Sequence, residues 1–102
     1  TLFGGDFNAV PHTDGGKSPA SVKMMEAGFT DAYRKTYPDV QKYPGASHEN
    51  NRRIDQLYYK GKGLSNTSTI VINTWSTGFP SDHYLIIGTF ALNYRTSSAQ
   101  KQ

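Results

Sequence analysis

Three short polar clusters in the 102-residue chain carry side chains able to do chemistry: Gly4-Gly5-Asp6-Phe7-Asn8, Arg53-Ile54-Asp55-Gln56 and Ser81-Asp82-His83. An Asp in a glycine-rich turn commonly satisfies nearby backbone groups, and that is the plain reading of Asp6 taken alone. Asp55 differs, because Ile54 and Leu57 imply a strand in which a half-buried carboxylate needs a partner. Histidine suits that role: Asp55 accepting an imidazole N–H would fix the tautomer of His83 and raise its basicity. The alternative is a strand-edge Asp open to solvent. Asp82 and His83 are neighbours, so within a strand they face opposite ways, yet at a strand entrance both reach one crevice. His12 and His48 fall in loop sequence with no evident partner.

Together Asp6, Asn8, Asp55, Asp82 and His83 form an oxygen-rich set with one imidazole, in a chain without Cys. Such a set suits a hard cation, Mg²⁺ or Mn²⁺, rather than zinc. The chemistry it fits is phosphate-ester hydrolysis. There a metal neutralises charge, a carboxylate aligns water, and neutral or cationic donors hold the phosphate oxygens. The lack of Cys also excludes a disulfide scaffold and a thiol nucleophile.

These clusters must be positioned by a small number of elements. Leu2-Phe3 reads as a strand running into the first cluster. Ser18 can cap a helix that has Pro19 at its first position, Val22 and Met25, with Met24 as a further candidate, as a narrow apolar stripe, and Gly28 as its stop. Asp31 to Tyr37 predicts one or two further helical turns ended by Pro38. Residues 38–53 read as a long loop. Ile54 to Tyr59, Thr67 to Trp75 and Tyr84 to Leu92 are strand candidates. The Gly61-Lys62-Gly63 connection is short enough for the first two of these to pair as an antiparallel hairpin. Tyr84 to Leu92 is apolar on both sides, and such a strand expects cover on both faces.

Composition narrows the class. Apolar residues, counted with glycine and without tyrosine, make up about 38% of the chain, below the roughly 45–50% usual for a globular domain. A net charge of +3 and 13% aromatic residues nevertheless argue against disorder. Residues 1–51 hold five Lys/Arg and six Asp/Glu, and residues 52–102 hold six and two. A basic second half can favour phosphate-bearing ligands, but the cluster Arg52, Arg53, Lys60 and Lys62 reads first as ordinary solvated surface. The chain opens with Thr1 rather than Met, inside a strand, which predicts a cut within a larger protein. Residues 96–102 read as a loose polar tail.

The order Gly5-Asp6-Phe7-Asn8, Asp31-Ala32-Tyr33-Arg34, Arg53-Ile54-Asp55 and Ser81-Asp82-His83 resembles the C-terminal half of the endonuclease/exonuclease/phosphatase superfamily. That group includes pancreatic deoxyribonuclease, apurinic endonucleases, sphingomyelinases and inositol polyphosphate phosphatases. The resemblance spans residues 3–92 and implies Asp6, Asn8, Asp55 and His83 as catalytic residues. Asp6 would orient or deprotonate the attacking water, and Asn8 would contact the phosphate and metal region. His83, paired with Asp55, would bind and polarise the phosphate. Asp82, with Asn8, would lie at a Mg²⁺ or Mn²⁺ site. Two departures are Tyr84-Leu85 where a proline often follows, and Gln56 where an aromatic is usual.

The resemblance further implies an α/β (α+β) chain forming half of a four-layered α/β sandwich. Residues 1–95 would supply one mainly antiparallel sheet with one or two short helices. The family's metal-binding glutamate belongs to an N-terminal half, so the chain alone would bind metal weakly and turn over negligibly. Expected partners are a phosphate-ester substrate, whether nucleic acid, phospholipid headgroup or sugar phosphate, and that N-terminal half. Self-association through a bare sheet face, lined by Leu85/Ile87 or by Ile86/Phe90, is also expected. The alternative function is a non-catalytic interaction module that reuses the fold.

Overall fold

In the computed structural model, residues 1–93 are described, and the polar tail 96–102 lies outside them. The described residues form an α+β fold of two antiparallel sheets and two short helices. Strand β1 (Leu2–Asp6) is followed by a single 3-10 turn (His12–Asp14), helix α1 (Pro19–Glu26), strand β2 (Thr30–Asp31) and helix α2 (Ala32–Thr36). Strands β3 (Asp55–Tyr59), β4 (Leu64–Ile72) and β5 (Leu85–Leu92) complete it. Both helices are capped as their sequences require: Ser18 Oγ accepts the Ser21 N–H, and an Asp31 carboxylate oxygen accepts the Arg34 N–H.

The strands divide between two sheets where the sequence predicts one. β3 lies between β1 and β2, and β4 pairs with β5. The expected hairpin of residues 54–59 with 67–75 is therefore corrected. Both edges of β3 are already occupied, so residues 60–63 carry the chain from one sheet to the other. Alternation along β3 explains how the layers stack. Gln56 and Tyr58 are buried on one side. On the other, Tyr59 meets Phe90 with ring centroids 5.3 Å apart, and a methyl group placed on Gly88 would overlap Leu57 Cδ2. Gly88 thus lets β5 approach β3 closely.

The buried apolar set is small: Ala32, Tyr33, Ile54 and Tyr58. Much of the interior is polar. Gln56, standing where the resemblance expects an aromatic, donates from Nε2 to the Ala9 carbonyl (2.7 Å) and accepts the Tyr58 hydroxyl (2.7 Å). Burial pushes the Tyr58 hydroxyl well above its ordinary pKa, which keeps it a neutral donor. Of the apolar stripe expected on α1, Met24 is half-buried while Val22 and Met25 are both exposed. The helix docks instead through buried Ser21, whose Oγ accepts the His12 N–H (2.9 Å) and lies 2.7 Å from His12 Nδ1. The two-stranded sheet leaves one side bare, as expected of one of the two predicted faces. Leu85 is 46% and Ile87 38% exposed, next to exposed Ile70.

Candidate functional site

The site forms where the end of β1, the start of β3 and the entrance to β5 meet. Antiparallel register sets Asp6 directly opposite Asp55. His83, two residues before β5, places Nδ1 2.8 Å from Asp55 Oδ2 and Nε2 3.8 Å from Asp6 Oδ2. Asp6, Asp55 and His83 are thus brought together from segments far apart in sequence. The Asp55–His83 pair is the partnership expected for a half-buried strand carboxylate.

The hydrogen bond to Asp55 raises the His83 pKa above its ordinary value, against desolvation, and the charges of Asp55, Asp6 and Asp82 act in the same direction. Nδ1–H donated to Asp55 leaves Nε2 to face Asp6. Asp6 makes the Asx turn that a glycine-rich sequence predicts: its Oδ1 accepts the Asn8 N–H at 2.7 Å, with Asn8 in the left-handed region at φ 51°. Its Oδ2 stays open toward His83. Asn8 therefore sits beside the cluster through its backbone, and its exposed side chain forms no hydrogen bond among the described residues.

Asp82 reaches the other side of His83. Its Oδ2 lies 3.2 Å from His48 Nε2, and the His48 and His83 rings meet edge to face with centroids 4.7 Å apart. His48, read from sequence as a loop residue without a partner, belongs to the site. The loop 38–53 is locally ordered there by antiparallel bridges from His48 to Arg52 and to His83. Buried Ser47 adds a second hold: its Oγ accepts the backbone N–H of both Ile54 (2.9 Å) and Asp55 (2.8 Å). Nothing in the local sequence marks these contacts, because His48 bridges to His83, 35 residues on, and Ser47 to Ile54 and Asp55, seven and eight residues on, contacts that only the tertiary fold makes.

Beneath the site lies a charge network. Arg53 donates from Nε to Asp14 Oδ2 and from its two terminal nitrogens to the Asp31 carboxylate (3.1 and 2.6 Å). Arg34 Nε donates to Asp14 Oδ1 at 2.8 Å, and its Nη1 to the carbonyls of Tyr37 (2.7 Å) and Tyr43 (2.9 Å). Burial pushes the Asp14 carboxyl up, but the hydrogen bonds and charges of Arg53 and Arg34 outweigh it, leaving the pKa below the ordinary value. Two carboxylates balance two guanidiniums, so the core carries them without net charge. Arg53 immediately precedes Ile54-Asp55, and the network fixes the backbone from which Asp55 projects.

A hard dication would find a partial ligand set here. The ligating atoms of Asp6, Asp55 and His83 lie within 4.8 Å of one another, as do those of His48, Asp82 and His83. Asp55 and His83 are committed to each other, which leaves one exposed carboxylate in each group, Asp6 in the first and Asp82 in the second, on different sides of His83. Mg²⁺ keeps several waters and takes one or two protein carboxylates. The residues fit such an ion in part, with further ligands to come from water, substrate or other protein groups. Beside His83 opens a cleft of about 300 Å³ lined by Trp75, Phe79, Pro80, Tyr84 and Leu85. No family model, curated protein or solved structure matches the chain.

Proposed function

We propose that the chain is the C-terminal half of a metal-dependent phosphoesterase of the endonuclease/exonuclease/phosphatase type, hydrolysing a phosphodiester or phosphomonoester. The observation that carries this reading is the convergence of Asp6, Asp55 and His83. Asp55 holds Nδ1 of the imidazole, so the protonated ring presents Nε2–H toward Asp6. The 3.8 Å between Nε2 and Asp6 Oδ2 is too long for a direct hydrogen bond. It leaves His83 free to donate to a phosphate oxygen and Asp6 free to take the proton of a water attacking phosphorus. A bound Mg²⁺ or Mn²⁺ would supply charge neutralisation at the phosphate. Asp82, with Asn8, is the residue of this chain that would contact it, and Asp6 stays with the attacking water.

In this reading the N-terminal half supplies the remaining metal ligands and covers the bare face at Leu85 and Ile87. The chain alone then binds metal weakly, hydrolyses negligibly and self-associates through that face. The test is hydrolysis of a generic phosphodiester and a generic phosphomonoester with Mg²⁺ by the longer protein and by the 102-residue chain. Activity in the longer protein that is lost on His83→Ala supports the reading. Strong activity from the chain alone, or activity indifferent to His83, overturns it.

A further inference from the structure

We infer that His48 is a positioning residue, holding Asp82 and His83 in their working arrangement without touching a reacting atom. Its tautomer is set by the backbone. The Asn50 N–H donates to His48 Nδ1 at 3.2 Å, and a backbone amide cannot serve as acceptor through its nitrogen. Nδ1 must therefore offer its lone pair, and the neutral ring carries its proton on Nε2. That Nε2–H points at Asp82 Oδ2, 3.2 Å away. The same tautomer leaves Nε2 without a lone pair for a metal, so His48 acts through Asp82 and is not itself a ligand. Its ring meets that of His83 at 79°, the edge-to-face packing that aromatic rings prefer.

The backbone around His48 reinforces this role. The Glu49 N–H donates to the Asp82 carbonyl at 3.0 Å, and the Tyr84 N–H to the Ser47 carbonyl at 2.8 Å. On its other side Ser47 Oγ caps the N–H groups of Ile54 and Asp55. The dipeptide Ser47-His48 thus ties the start of β3, which carries Asp55, to the entrance of β5, which carries Asp82 and His83. Removing the His48 ring takes away the donor that orients Asp82 and the surface against which His83 rests, while the Ser47 contacts remain.

The catalytic meaning of this role rests on the phosphoesterase reading, whereas the hydrogen-bond arrangement does not. The test is long-range ¹H–¹⁵N correlation of the histidine rings in the 102-residue chain, at a pH raised until the ring ¹⁵N shifts stop changing, so that both rings are neutral. Wild type is expected to show His48 as the Nε2–H tautomer and His83 as the Nδ1–H tautomer. In His48→Ala, His83 keeps the Nδ1–H tautomer that Asp55 holds, whereas the Asp82 carboxylate ¹³C shift is expected to move with the loss of its donor. His48→Gln, whose side-chain amide can still donate to Asp82, is expected to restore that shift. His48 found with its proton on Nδ1 in wild type overturns the inference with no variant needed, as does an unchanged Asp82 carboxylate shift in His48→Ala. In the longer protein, His48→Ala is expected to lower kcat about tenfold with KM nearly unchanged, as loss of an orienting partner does. His48→Gln recovers most of that loss, and equal kcat in wild type and His48→Ala overturns the role. Expected spectra with no hydrolysis in any form would sink the phosphoesterase reading and leave the positioning arrangement supported.

Discussion

Replacing Arg53 by Met tests how the site is held up from below. The Arg53 side chain is 2% exposed and bridges the carboxylates of Asp14 and Asp31, 5% and 4% exposed. Methionine keeps most of the apolar length and removes the charge. Two buried carboxylates then share Arg34 alone, leaving one negative charge uncompensated. Breaking a buried ion pair from one side costs about 3–5 kcal/mol. Domains of this size are stable by roughly 5–15 kcal/mol, and the four buried hydrophobic residues among those described put this chain toward the low end. With urea slopes of about 1–3 kcal/mol per molar, the unfolding midpoint is expected to fall by at least about 1 M, read by circular dichroism. Adding Asp31→Asn should recover part of the loss, because it removes the stranded charge. A loss below about 1 kcal/mol, or an Asp31→Asn effect that simply adds to that of Arg53→Met, would refute the reasoning.

Three further outcomes follow from the same geometry. Asp55→Asn should lower the His83 pKa toward 6.5, measured by NMR titration, because the hydrogen bond to Asp55 is the largest cause of its rise. In wild type the pair's stabilisation is present in full below the unfolded imidazole value and is lost as pH rises through the raised folded value, so Asp55→Asn should flatten stability against pH in that window. Gly88→Ala forces a methyl group onto Leu57 Cδ2 and close to Phe90 Cε1, and should destabilise by about 1–3 kcal/mol in thermal or urea unfolding. Leu85→Thr with Ile87→Thr should reduce self-association in sedimentation, since both side chains line the bare face; unchanged association would place the contact elsewhere.

Much of the site was legible because its signals are local or chemical. Ser18-Pro19 and Asp31 announce helix starts through capping. Asp55 betrays its need for a partner by sitting in apolar strand sequence, and His83 is the imidazole that answers it. What escaped was tertiary. His48 gives no local sign of its bridge to His83 or of its bond to Asp82. Asp14 lies 20 and 39 residues from the arginines it joins, in a 3-10 turn that looks like ordinary loop. The hairpin expectation failed because a short glycine-bearing connection is compatible with either pairing, and only the occupation of both edges of β3 decides. The stripe on α1 failed because the helix docks through the Ser21 and His12 hydrogen bonds rather than by burying Val22 and Met25.

The central claim is that Asp6, Asp55 and His83 form one phosphate-hydrolysing unit. It is tested most directly by the Mg²⁺-supported hydrolysis of a phosphate ester by the longer protein with and without His83→Ala. Loss of a positioned proton-handling group removes about 10²–10⁴ of rate, so the variant should retain at most about one hundredth of the wild-type kcat/KM with its fold intact by circular dichroism. Hydrolysis by His83→Ala equal to wild type, or none by the wild-type protein on diester and monoester alike, would contradict the account.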